Sequence, residues 1–403
     1  MITYYEILKV KRFSYAKNAA ISIILAALLY GCEERFSPVI DARYNEVLVV
    51  DGMITSDPAP YTVRLSWSSS LSQSTYNPAS GFEVRITDDE GTSETLVEAG
   101  PGTYVSAADG IQGVPGRSYR LEITTSNGKS YLSDYEQLPQ PVTIDSVYPE
   151  VEYTTINSYP YDLPGYRFYI DATDATRDTS YFMWHLEETY RYESDYKIYF
   201  SYYDGVLHQV QNKDTLKTCW KTNKVPGYYL MSTAGLAAPE ITHFPLNYVT
   251  TDTRRLSVRY SLQVRQFMLT EAAYRFVKST SGQNTQGGDL YTKQLYQVRG
   301  NVYNPGDESE TVFGFFSAAG ISQKRIFTNR PGPPVQMYFS ECVLTKTDFE
   351  NYGWMFLGPP PPASDPLFVT ESAEGARALP GQACLNCLLR GGNTEKPDFW
   401  YDN

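Results

Sequence analysis

Histidine is scarce in this chain: 3 residues among 403. So few imidazoles leave little for acid–base or zinc chemistry built on histidine, and no His-Glu-x-x-His run is present. A Gly-x-Ser-x-Gly elbow, a phosphate-binding loop and a dinucleotide-binding glycine fingerprint are missing as well. The segment Gly314–Gly320 has the wrong spacing for the elbow. No apolar run is long enough to cross a bilayer as a helix, which speaks against a polytopic helical membrane protein. Ala-rich helical stretches are few, and no internal repeat is evident. Hydrophobic residues nonetheless reach 42% and charged residues 20%, which excludes disorder throughout.

What the chain has in quantity is aromatic rings: 35 Tyr, 18 Phe and 5 Trp. Flat rings pack well across a pleated sheet, so a mainly β fold is expected. The length suits two domains or a little more.

The N-terminus speaks to location. Lys9, Lys11, Arg12 and Lys17 precede an apolar stretch from Ala19 to Tyr30, and Gly31-Cys32 follows. A basic start, a short apolar centre and a small residue before the cut describe a secretory signal over residues 1–31. Leu29-Tyr30-Gly31-Cys32 resembles the bacterial lipobox, with Tyr30 bulkier than the usual occupant. Cys32 is therefore the expected lipidation site, residues 32–41 a tether, and the membrane a partner through acyl chains. Cutting there removes four basic residues and Glu6, leaving a chain three charges more negative than the −12 of the whole. That acidity argues against nucleic acid as a partner and against lying flat on anionic lipid. Glu33 and Glu34 resemble the acidic signal for surface transport in lipoproteins of the Bacteroidetes type.

Four further cysteines remain, Cys219, Cys342, Cys384 and Cys387, an even number that suits an oxidising compartment. Three pairings are open, and spacing does not choose among them. Cys384-Leu-Asn-Cys387 lies in a terminal tail, not at a helix start in a βαβ unit as a redox motif would. A four-cysteine zinc site uses two close pairs, whereas Cys219 and Cys342 stand alone. Structural disulfides are the expectation, with no metal.

From Glu46 onward short strands alternate with turns. Val47–Thr55, Tyr61–Ser66, Phe82–Thr87 and Ser118–Thr124 read as strands, and Asn127-Gly128 before Lys129–Ser133 signals a tight hairpin. Strands about every ten residues argue for an immunoglobulin-like sandwich over 42–136. Pro139-Gln140-Pro141 would separate it from a larger β-rich domain, 142–403, ending in a disulfide-containing tail. There Tyr166–Ile170, Tyr181–Glu187, Lys197–Ser201, Leu256–Arg265, Val312–Ser317 and Ile326–Thr328 read as strands. Thr270–Lys278 reads as a helix capped by Thr270, one of one or two short helices expected. Pro359–Pro362 reads as a polyproline loop.

Several stations resemble one family in order. They are Leu48–Thr55, Tyr61–Ser66, Cys219-Trp220, Ser261–Phe267 leading into Glu271–Phe276, Gly300–Asn304, Gly314–Ser317, and the tail Cys384–Cys387 with Arg390–Gly392 and Lys396–Trp400. Together they resemble a Bacteroidetes lipoprotein family known only as domain of unknown function 4249 (DUF4249). The resemblance implies no catalytic residues. Genes of this family often stand beside those of TonB-dependent transporters, which implies an accessory role at the outer membrane, on the cell surface.

The remaining chemistry is sparse. On a strand His185 and Glu187 would share a face, as a metal or general-base pair requires, but no third ligand is visible and a half-buried strand histidine is the expectation. His208 and His243 are isolated. Asp171, Asp174 and Asp178 cluster as calcium would favour, yet without EF-hand spacing they, like Asp88–Gly91, read as turns, and no cofactor is expected beyond that calcium alternative. Tyr190-Arg191-Tyr192, Tyr202-Tyr203 and Tyr228-Tyr229 could line a glycan or protein surface, Tyr202 and Tyr203 being the candidate ligand contacts; cross-strand packing is the simpler reading. The expected function is a non-catalytic binding or accessory subunit associated with a TonB-dependent transporter. Alternatives are a stand-alone glycan or matrix binder and, third, a hydrolase with dispersed carboxylates.

Overall fold

The computed structural model describes residues 46–69, 76–156, 159–285, 298–357 and 366–402. The secretory signal, Cys32, the tether and the Pro359–Pro362 run lie outside the described residues.

The first stretch folds into strands β1 (Leu48–Thr55), β2 (Thr62–Trp67), β3 (Asn77–Pro78), β4 (Glu83–Asp88) and β5 (Ser93–Thr95). It continues with β6 (Val97–Gly100), β7 (Thr103–Val105), β8 (Ser118–Thr124), β9 (Ser130–Ser133) and β10 (Glu136–Gln137). The Asn127-Gly128 hairpin forms between β8 and β9, with Gly128 at φ +83°, a conformation in which a Cβ would be strained.

Longer strands follow: β11 (Ser146–Thr155), β12 (Asp162–Thr173), β13 (Tyr181–Glu193), β14 (Phe200–Tyr203) and β15 (Val206–Gln209). Next come β16 (Thr218–Ser232), β17 (Glu240–Thr250), β18 (Arg259–Leu269) and helix α1 (Glu271–Thr285). The last elements are β19 (Val302–Tyr303), β20 (Phe313–Asn329), α2 (Lys346–Trp354), β21 (Leu367–Glu371) and β22 (Arg377–Ala378). The fold is thus mainly β with two α-helices among the described residues. Neither helix is long and apolar enough to cross a membrane.

Helix α1 begins where capping chemistry places it: the Thr270 hydroxyl accepts the Ala273 N–H at 3.2 Å. Helix α2 carried no such expectation. Its start is fixed by Thr345 and Asp348, the Thr345 N–H donating to the Asp348 carboxylate at 2.7 Å. The two strands expected at Val312–Ser317 and Ile326–Thr328 are one, β20, because the residues between them continue the ladder, Gly320 to Arg325 pairing with Met268 to Gln263.

The largest sheet runs in the order β16-β13-β18-β20-β1-β2-β7-β6, with β3 beside β2. All its pairings are antiparallel except β1 with β20, where Val49 to Thr55 lie beside Phe313 to Ala319. Gly314 permits this approach: at φ +93° its missing Cβ would sit 1.8 Å from the Val50 carbonyl oxygen.

One face of this sheet is covered twice. At the β1 end it packs on a second sheet, β19-β9-β8-β4-β5, through Val50, Val63, Leu65, Val84, Leu121, Phe316 and their neighbours. At the other end it packs on β11-β12-β17 through Phe168, Phe182, Trp184, Leu262 and Val264. The facing sheets that the sequence places in 42–136 are therefore completed by β19 and β20, from much later in the chain.

Pro139–Pro141 leads directly onto the largest sheet. The carbonyl of Val142 just beyond it accepts from the Gln266 side chain at 2.7 Å and the Ser322 hydroxyl at 2.6 Å. A continuous sheet joins the two stretches, and the described residues from Glu46 onward form one compact unit.

Candidate functional site

Side chains alternate across a strand, so the opposite face of β13, β18 and β20 carries the odd-numbered residues. One end of that face is apolar and lies under α1: Met183, Phe267 and Ile321 pack against Ala273 and Tyr274. The far end is covered by the C-terminal tail. Between helix and tail two rows of polar residues stay uncovered. Strand register aligns His185, Arg265 and Gln323 in one row. The other holds Lys224, Glu187, Gln263 and Arg325. Gly227 and Tyr228 on the bulged edge strand β16, with Phe399 of the tail, complete a groove of about 730 Å³.

Electrostatics in this window are partly settled within it. Arg325 donates to Glu187 at 3.2 Å and to the Ser261 hydroxyl at 3.3 Å. Arg265 reaches Asp57, just past β1, at 2.9 Å. Gln263 donates to Gln323 at 3.2 Å. Lys224 has no ion pair among the described residues. His185, in ring contact with Phe267, is held below the usual histidine range by crowding at the sheet surface, then by Arg265 and Lys224. This biases the ring toward its neutral form, which both donates and accepts.

The tail is placed by covalent bonds. Cys219 of β16 is joined to Cys387, and Cys342 to Cys384, with Cα separations of 5.7 and 6.0 Å. Cys384 and Cys387 thus bond to two distant partners and not to each other. Asp195 lies beside the Cys342–Cys384 bond, and its carboxylate is clasped by Arg254 at 2.7 Å and Arg390 at 3.0 Å. Beyond, Asn393 adds a bridge to the edge of β16 at Trp220. Phe399 then stacks on Arg325, Trp400 packs against Trp220 and Phe327, and Tyr401 covers Arg259.

The other sequence candidates lie elsewhere. Neighbours on a strand point to opposite faces, so Tyr202 and Tyr203 do not share a platform. Tyr202 is buried among Met355, Leu367 and Val369, and Tyr203 stacks on His208 at 4.0 Å. The same alternation divides Tyr228, exposed at the groove, from Tyr229, packed into the core behind it. Tyr192 is buried and donates to the Cys387 carbonyl at 2.7 Å. His243 stacks on Tyr169 at 3.6 Å and approaches Glu150 at 3.3 Å.

The Asp171 carboxylate takes the Ser146 hydroxyl at 2.5 Å and the His243 N–H at 2.7 Å. Asp174 takes Ser180 and Thr176, both at 2.6 Å, and Asp178 is exposed. Asp174 thus serves as a turn acceptor, as does Asp88, one oxygen of which takes the N–H groups of Glu90 and Thr92, whereas Asp171 lies on β12 and accepts across the sheet from β11 and β17.

Of the groove, sequence reasoning singles out His185, Glu187 and Tyr228. Gln263 and Arg265 were visible as alternate polar residues of a strand, but only register shows that Gln323 and Arg325 stand beside them. Phe399 had no local signal.

These features define a mainly β, disulfide-tied protein with a polar window on one sheet. The chain belongs to the family described as Domain of unknown function (DUF4249), whose model matches residues 33–325. The match ends at Arg325, so the tail with Cys342, Cys384 and Cys387, the most distinctive station of the resemblance, lies beyond it. No curated protein matches the chain.

Proposed function

We propose that this protein is a non-catalytic binding or accessory subunit, held at the outer membrane by acyl chains on Cys32 and partnered with a TonB-dependent transporter. The observation that carries the binding role is the uncovered polar window. Its floor is rigid, because the reverse face of the same strands is packed with Trp184, Leu262 and Val264. Glu187 is committed to Arg325 and His185 is biased toward its neutral form, an arrangement suited to orienting a ligand. The basic start, apolar stretch and Gly31-Cys32 support the lipid anchor, and the two disulfides fit an oxidising compartment. The gene neighbours expected of the family support the transporter as partner.

Mild crosslinking in intact cells followed by purification tests the partnership. A TonB-dependent transporter should be recovered with the chain, and its consistent absence would overturn that part of the reading. One observation favours the stand-alone glycan binder as second reading: exposed rings at Tyr228 and Phe399 flank planar amides at Gln263 and Gln323. Ligand binding in the purified protein with no transporter recovered would select it.

A further inference from the structure

We infer that the window takes a linear saccharide bearing carboxylates, laid across β16, β13, β18 and β20. This rests on reading the window as a ligand site and adds the chemistry of the ligand. Three observations lead there.

The first is charge. The chain carries a net −12, so as a whole it repels polyanions. The groove is the reverse: Lys224, Arg265 and Arg325 line it against Glu187 alone, and Lys224 has no ion pair among the described residues. Arg265 shares its guanidinium with an Asp57 that stands outside the lining, which leaves further N–H donors for an incoming carboxylate.

The second is the kind of polar group. Two rows of amide, imidazole and guanidinium groups offer paired donors and acceptors in a plane, as vicinal hydroxyls require. Strands stand about 4.8 Å apart, so four of them present a floor roughly 14 Å across, with a step close to the repeat of a pyranose chain. Tyr228 and Phe399 add ring faces at the edges, onto which the C–H face of a sugar ring packs.

The third is what the floor lacks for a peptide. Peptides that do not extend a sheet edge are mostly held through pockets for apolar side chains, with acidic motifs on Arg clusters the exception that hexaglutamate tests below. The lining here has one aliphatic residue, Leu186, and is otherwise polar or aromatic apart from Gly227.

Calorimetric titration of the detergent-solubilised full chain tests this, with tetragalacturonate as the probe. Galactotetraose serves as the neutral counterpart and hexaglutamate as an acidic peptide. Tetragalacturonate should bind, at least tenfold more tightly than either control, and added salt should weaken it. Lys224→Gln, on the exposed edge strand, should weaken binding about tenfold, the loss of one charge-assisted hydrogen bond. Phe399→Ala should weaken it as well, with an unchanged circular dichroism spectrum showing that the fold persists. Equal binding of galactotetraose, or tighter binding of hexaglutamate, would overturn the inference. So would failure of both tetragalacturonate and tetramannuronate to bind, or indifference to Lys224→Gln. Transporter recovery is read separately, so a lost ligand class with a retained partner leaves the accessory role standing.

Discussion

The Phe399 ring lies over the guanidinium of Arg325, with 3.7 Å between its centre and the guanidinium carbon. One residue is the last of the family match and the other belongs to the tail beyond it. Their contact joins the tail to the polar window. Part-desolvated pairs of this kind contribute about 0.5 to 2 kcal/mol. A double-mutant cycle with Phe399→Ala and Arg325→Ala, read by urea unfolding, should return a coupling in that range. Strictly additive effects would mean that the stacking contributes nothing.

The Cys219–Cys387 bond closes a loop of 168 residues of sequence separation. Loop-closure entropy assigns such a bond about 5 kcal/mol, of which strain and residual structure commonly remove part. Replacing both cysteines by alanine should lower unfolding stability by several kcal/mol and expose Trp400, now buried between Trp220 and Phe327. A red shift of tryptophan emission in the native baseline checks the second outcome.

The window and the fold were legible in the sequence to different depths. Alternation placed β1, β2, β4 and β8, and the Thr270 cap placed α1, because these signals are local. The site was half legible: His185 and Glu187 share a face by period-two geometry alone. Arg265 and Arg325 join them only through the register of β13, β18 and β20, which no local pattern encodes. The parallel pairing of β1 with β20 was invisible for the same reason. Helix α2 escaped because none of its residues is buried, so it lacks an apolar stripe. Tyr202 and Tyr203 point to opposite faces of β14, since adjacency in sequence is opposition on a strand, and Tyr202 follows the simpler packing reading.

Glu136 links β10 to the start of α1: it accepts from the Thr270 hydroxyl at 2.5 Å and lies 3.5 Å from the Asn301 amide. Burial, the largest influence, raises its carboxyl above the ordinary 4.5, against the lowering effect of those bonds. The folded chain therefore keeps this proton to higher pH than the unfolded chain. The group's contribution to stability is full below 4.5 and is lost as pH climbs through the raised native value. Glu136→Gln should flatten that decline and raise the thermal midpoint near neutrality by a few degrees. Superimposable pH profiles for the two proteins would contradict this.

Cys32→Ala should shift the chain from the membrane pellet to the soluble fraction. Acyl chains on one cysteine are the proposed tether, and several chains hold where one is marginal. Mass spectrometry of the wild-type N-terminus gives the independent check. Retention of the variant in washed membranes would remove Cys32 from the proposal.

Val49 and its neighbours rest alongside Phe313 and the residues after it. Synthesis delivers β1 first and its parallel neighbour only after most of the chain has been made. Until then an apolar strand waits with one row of amides and carbonyls unmatched, a template for joining another chain. Non-local parallel pairings of this sort form slowly. Premature termination anywhere upstream of β20 would therefore yield a sticky fragment with an open flank instead of a smaller working protein.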